Sequence, residues 1–107
     1  MEDDLVIGLV VEKSVNIGSM EEKDLAEQLI LEGYAHLYVW EDGPGVEYPE
    51  HTHRAQSAHI ILNGEMSMTM NGETKTYHAG DRCDLPAGIM HSARTGPQGC
   101  RYLIAER

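Results

Sequence analysis

The stretch EMSMTMNGETKTY, residues 65–77, reads as a β-hairpin. Met66, Met68 and Met70 alternate with Ser67 and Thr69, so one face is apolar and the other polar. That is the period of a half-buried strand, not of a helix. Asn71-Gly72 falls where a two-residue type I′ turn needs two residues that tolerate positive φ. Working outward, AHIIL (58–62) is a further strand, closed by Asn63-Gly64, and YAHLYVW (34–40) alternates as another. On the other side AGD turns into RCDL (82–85) and PAG (86–88) turns again. MHSARTG (90–96) then runs out to PQG, and CRYLIAE (100–106) is the last strand. Many short antiparallel strands separated by frequent turn signals predict a β-sandwich or barrel, with the jelly roll as one candidate.

Upstream, SMEEKDLAEQLILEG (19–33) changes the period. Ser19 and Glu22 form a capping box, Leu25, Leu29 and Ile30 make one apolar stripe, and Gly33 is a natural stop. The spacing predicts a helix over 20–32, packed outside the barrel because its other face is rich in Glu. Before it, LVIGLVV (5–11) is apolar throughout, as in a strand buried on both faces, with Gly8 at a bulge. Such a strand is too apolar for an exposed edge, which predicts a homodimer that covers it.

The chain has 107 residues, enough for one domain of residues 1–107, with a core barrel from about 34 to 107 and the strand and helix of 5–33 before it. A net charge of −10 argues against nucleic acid and anionic membrane surfaces as partners. The N-terminus is acidic where a secretory leader is basic, and its apolar run is too short to span a bilayer, so a cytoplasmic location is expected. Cys83 and Cys100 lie in no metal-binding spacing and read as thiols.

Three of the six histidines, His51, His53 and His59, fall within PEHTHRAQSAHIILNG (49–64). On an extended segment residues two apart share a face, so His51 and His53 can converge on one point. Neutral imidazole is the commonest protein ligand of metals. His91 follows the PAG turn, and a rigid sheet can bring it to the same point. The bland alternative is a pocket whose histidines hydrogen-bond an organic molecule or water. The methionine stripe reads as flexible core lining, Cys83 as a small core residue and His78 as exposed. His36, Tyr38 and Trp40 share a strand face that can line the pocket, face solvent or meet a second subunit.

From Gly45 to the C-terminus the chain resembles a small single-domain cupin of the RmlC-like, conserved-barrel type. One motif of that family reads G, five residues, HxH, three or four residues, E, six residues, G. Here it is Gly45, VEYPE, His51-Thr52-His53, closing at Gly64. The other reads G, five residues, PxG, two residues, H, three residues, N. Here it is Gly80, DRCDL, Pro86-Ala87-Gly88, IM, His91. The resemblance implies an all-β jelly-roll barrel (a double-stranded β-helix) with one short N-terminal helix. It also implies a divalent transition metal, zinc, iron, manganese or nickel, at His51, His53 and His91. The family's glutamate falls on Ser57 and its asparagine on Thr95. His59, two residues beyond Ser57, shares its face and is a candidate fourth metal ligand; the alternative is an open position.

Two functions follow. One is a metal-binding cupin acting on, or binding, a small anionic molecule, because three neutral ligands leave a divalent ion's charge uncompensated. The other is a non-catalytic sensor with a degenerate metal site. No catalytic residue is assigned in either.

Overall fold

The computed structural model describes residues 20–107. The expected strand at 5–11 and the Ser19 cap lie outside the described residues. The order is α1 (Met20–Leu31), β1 (His36–Asp42), β2 (Glu47–His51), β3 (Ser57–Met70), β4 (Glu73–His78), β5 (Arg82–Leu85) and β6 (His91–Glu106). No helix among the described residues is long and apolar enough to cross a membrane.

Two strands are much longer than the sequence pattern suggests. Asn63-Gly64 does not close AHIIL; β3 runs through it for 14 residues. Likewise β6 continues from MHSARTG through PQG into CRYLIAE, for 16 residues. Asn-Gly marks both a hairpin turn and a bulge, because each needs positive φ. Here it makes the bulge. The β3–β6 register shifts between Ile61 and Asn63 and again between Gly64 and Met66. Gly64 has φ +81°, and a Cβ there would run into the backbone carbonyl of Gly99. The two strands bend together at a point that admits no side chain.

The bend creates the jelly roll. The first half of β3 and the second half of β6 pair together, flanked by β5 and β1. The second half of β3 and the first half of β6 pair together, flanked by β4 and β2. All pairings are antiparallel. The two arrays, β1-β6-β3-β5 and β2-β6-β3-β4, thus share their central strands. The predicted Asn71-Gly72 hairpin is present, with φ of +54° and +75° and Met70 paired to Glu73.

The helix packs outside the barrel, as its stripe predicts. Ala26 and Leu29 are buried against Leu37 and Val39 of β1, Ala58 and Ile60 of β3, and Leu103 and Ala105 of β6. At its end the Gly33 N–H donates to Ile30 and the Tyr34 N–H to Leu29, the paired bonds of a Schellman stop. Ion pairs fix both ends to the sheet: Glu22 to Arg101, and Glu32 to Arg82 at 2.6 Å. The Arg82 guanidinium, helped by Gln28, holds the Glu32 carboxyl down at about 2. Inside the barrel a second cluster contains Ile61, Met66, Met68, Cys83, Leu85, Cys100, Tyr102 and Ile104. Cys83 and the methionine stripe therefore take the core positions expected of them, with the Cys83 thiol 3.6 Å from the Met68 sulfur.

Candidate metal centre

His51 ends β2 and pairs across from His91, the first residue of β6. A register shift between Tyr48 and His51 turns the strand there. His53 lies just beyond β2, and its carbonyl accepts the Gly88 N–H at 2.8 Å. The Pro86-Ala87-Gly88 turn thereby fixes the HxH segment directly. The three rings come together with centroids 4.8 Å apart for His51–His53, 4.2 Å for His51–His91 and 5.0 Å for His53–His91.

The tautomers are set by the backbone. His51 Nδ1 lies 2.6 Å from the Pro49 carbonyl, and His91 Nδ1 lies 3.1 Å from the Ile89 carbonyl. A carbonyl only accepts, so each Nδ1 carries the proton and each Nε2 keeps its lone pair. Such a bond to the non-ligating nitrogen is the usual support of a metal-binding imidazole. Burial, together with the neighbouring imidazoles, keeps the His91 pKa below its ordinary value, against the opposing pull of the Ile89 carbonyl. The three potential ligand atoms lie within 4.8 Å of one another. Ligands of a tetrahedral ion at 2.0–2.1 Å would sit roughly 3.4 Å apart. Small side-chain rotations close that difference, so the donor set fits a divalent transition metal.

The triad itself lines a cavity of about 240 Å³ between the two arrays. His59 lines it but is not one of the three clustered ligands. Its ring faces Tyr102, with centroids 6.1 Å apart. Burial, and then the nearby His91 and His53, depress its pKa to about 4. Ser57 also lines the cavity and is 2% exposed. The inward face predicted for Ser57 and His59 is therefore the one they take. Ser57 Oγ and His59 Nδ1 are buried without a hydrogen-bond partner. A buried polar atom left unpaired costs about 1–3 kcal/mol.

The remaining candidates separate clearly. Tyr38 and Trp40 line the cavity, whereas His36 on the same strand is exposed. Met90, beside His91, is 53% exposed and takes no part. Thr95, in the asparagine position of the family pattern, is buried; its hydroxyl donates to the Gly43 carbonyl and accepts the Val46 N–H, both at 2.8 Å. It holds the loop before β2 and does not reach the site.

Sequence reasoning missed Asp42. Its carboxylate accepts hydrogen bonds from Trp40 Nε1 at 2.9 Å, Tyr48 Oη at 2.7 Å and Tyr102 Oη at 2.8 Å. All three donors line the cavity. Burial, followed by the bonds to Asp42, pushes the Tyr102 phenol well above its usual range, and burial with the Asp42 bond raises Tyr48. Both are therefore neutral donors. No local pattern announces this cluster, because Tyr102 is 60 residues from Asp42 in sequence.

Known proteins resemble this chain in sequence and in fold. A family model described as "Cupin domain" matches residues 30–105. Quercetin 2,3-dioxygenase of Bacillus subtilis is 32% identical over 72 residues, 66% of this chain and 19% of that protein. The chain thus spans about a fifth of that relative's length. Among solved structures, DMSP lyase DddQ from Ruegeria pomeroyi superposes with a TM-score of 0.61 at 32% identity, covering 66% of this chain and 36% of that one. The cupin domain of Schizosaccharomyces pombe Cnp3 superposes at 0.59 with 23% identity, over 64% of this chain and 48% of that one, a likeness of fold alone.

Proposed function

Since the chain belongs to the cupin family, we propose that His51, His53 and His91 hold a divalent transition metal and that the cavity takes a small anionic molecule. One observation carries the reading: the Nδ1 atoms of His51 and His91 are both committed to backbone carbonyls, which leaves Nε2 lone pairs in a cluster of three imidazoles. Imidazoles that merely hydrogen-bonded an organic ligand would not need both tautomers fixed alike. The ligands are neutral, and among the described residues no Lys or Arg lines the cavity, so the ion's charge is available to an anion. At under the roughly 300–1,000 Å³ of drug-sized pockets, the space suits a small molecule. A metal bound there would supply Lewis acidity, and iron(II) would also permit oxygen chemistry. The two relatives at 32% identity are a dioxygenase and a lyase. Their reaction classes differ, so the likeness supports the scaffold and its site without selecting a reaction.

The test is elemental analysis of untagged protein purified without a metal column. About one equivalent of a transition metal per chain is expected, lost in His53→Ala. A metal-free wild type that takes up no zinc, nickel, manganese or iron(II) would overturn the proposal.

A further inference from the structure

In the cavity wall formed by the other array are two polar side chains that the metal reading leaves without a role. Ser57 and His59 both belong to the first half of β3, in the β1-β6-β3-β5 array. His51, His53 and His91 come from β2, the segment after it, and the start of β6, in the other array. Ser57 Oγ and His59 Nδ1 are buried and unpartnered, and both residues line the cavity. Among the described residues, of the buried side-chain polar atoms without a partner, only the Tyr34 hydroxyl lies elsewhere. Unsatisfied groups are thus concentrated where a ligand would meet them, as in sites that recognise a polar substituent by hydrogen bonds.

We infer that Ser57 and His59 form a second subsite, which holds an uncharged hydroxyl at the other end of a ligand whose carboxylate lies at the triad. The inference rests on the metal reading above. A serine hydroxyl both donates and accepts, and an imidazole nitrogen does either according to tautomer, so the pair suits a group that itself does both. A second anion does not suit it, because among the described residues the lining contains no Lys or Arg and includes Glu106. Elsewhere in the lining, Met66, Met68 and Ile104 offer an apolar wall. The ligand class is therefore a short carboxylate with an apolar middle and one neutral oxygen substituent at its other end.

The experiment uses the full chain loaded with cobalt(II), whose visible spectrum reports carboxylate binding. The probes are matched straight-chain carboxylates from propanoate to hexanoate, each with and without a terminal hydroxyl. At one chain length the hydroxylated member should bind about tenfold more tightly, the scale of one well-formed hydrogen bond. Ser57→Ala and His59→Leu should each bring the pair to near-equal affinity. Cobalt affinity itself, measured by competition with a chromophoric chelator, should stay within about twofold of wild type in both variants. Equal binding of the matched probes at every length would overturn the inference and leave the metal reading standing. So would a loss of cobalt affinity in either variant comparable to that of His53→Ala, since the residues would then be metal ligands. Wild-type protein that binds no cobalt would overturn the metal reading and this one with it.

Discussion

Where the β1-β6-β3-β5 array meets the helix, Leu29 of α1 and Leu37, Val39, Leu103 and Ala105 of the strands are sealed from solvent. On the other side the same strands present Tyr38, Trp40, Ser57, His59 and Tyr102 to a cavity. Alternate residues of one strand therefore serve opposite ends: Ala58 and Ile60 pack under the helix, while Ser57 and His59 face the site. The outer layer is apolar and filled. The inner layer carries methionines, phenols, an indole and imidazoles around empty volume. A strand's period of two lets a single backbone segment do both. The stability that the inner face gives up in unpaired polar atoms is supplied a few ångströms away by the outer one.

This contrast predicts a graded set of effects. The largest belongs to the outer face. Leu29→Ala removes a fully buried side chain and should cost about 2–5 kcal/mol in urea unfolding, with metal affinity unchanged in the folded variant. A matching loss of affinity would break the separation of the two layers.

Next is the acid sensitivity of the inner face. Folding depresses the pKa of His59 from 6.5 to about 4 and lowers that of His91. Below about 6.5 the unfolded chain binds protons that the folded metal-free protein refuses, so stability falls with pH through this window. Above 6.5 the contribution is fully present, and by pH 4 that of His59 is gone. The loss from His59 alone is up to about 3 kcal/mol. His59→Leu should flatten the urea midpoint between pH 6.5 and 4, and a wild-type midpoint already flat there would contradict the burial of the imidazole.

Asp42→Ala deprives Trp40, Tyr48 and Tyr102 of their shared acceptor. It should cost about 2 kcal/mol and shift the fluorescence of Trp40, the chain's only tryptophan. An unchanged emission spectrum would show that the cluster does not order that wall of the cavity. The smallest effect is Met66→Leu, a near volume-conserving change in the flexible lining, expected to cost under about 1.5 kcal/mol by thermal unfolding.

What the sequence disclosed follows the range of the interactions. The helix, its Gly33 stop, the Asn71-Gly72 hairpin and the inward parity of Ser57 and His59 each depend on neighbours within a turn or a strand, and all are legible. The histidine triad is legible because HxH and PxG carry local geometry that converges once the strands pair. Asn63-Gly64 reads as a turn because its chemistry is that of positive φ, and only the register against Cys100 shows that the strand continues. The Asp42 cluster is invisible for a similar reason. Its donors come from β1, β2 and β6, and nothing in any one segment says that they meet.

The sharing of β3 and β6 between the two arrays has a mechanical consequence. A sandwich of independent sheets can part like a clamshell, but here each half is continuous with the other through two unbroken strands. The walls cannot hinge apart without breaking the ladders that join them. Traffic in and out of the cavity is left to the rim, where β2 is only five residues long and its side chains are all half-buried or exposed. The imidazoles of His51 and His53, on β2 and just beyond it, are half-buried on that rim, whereas Ser57 in the same lining is closed off from solvent.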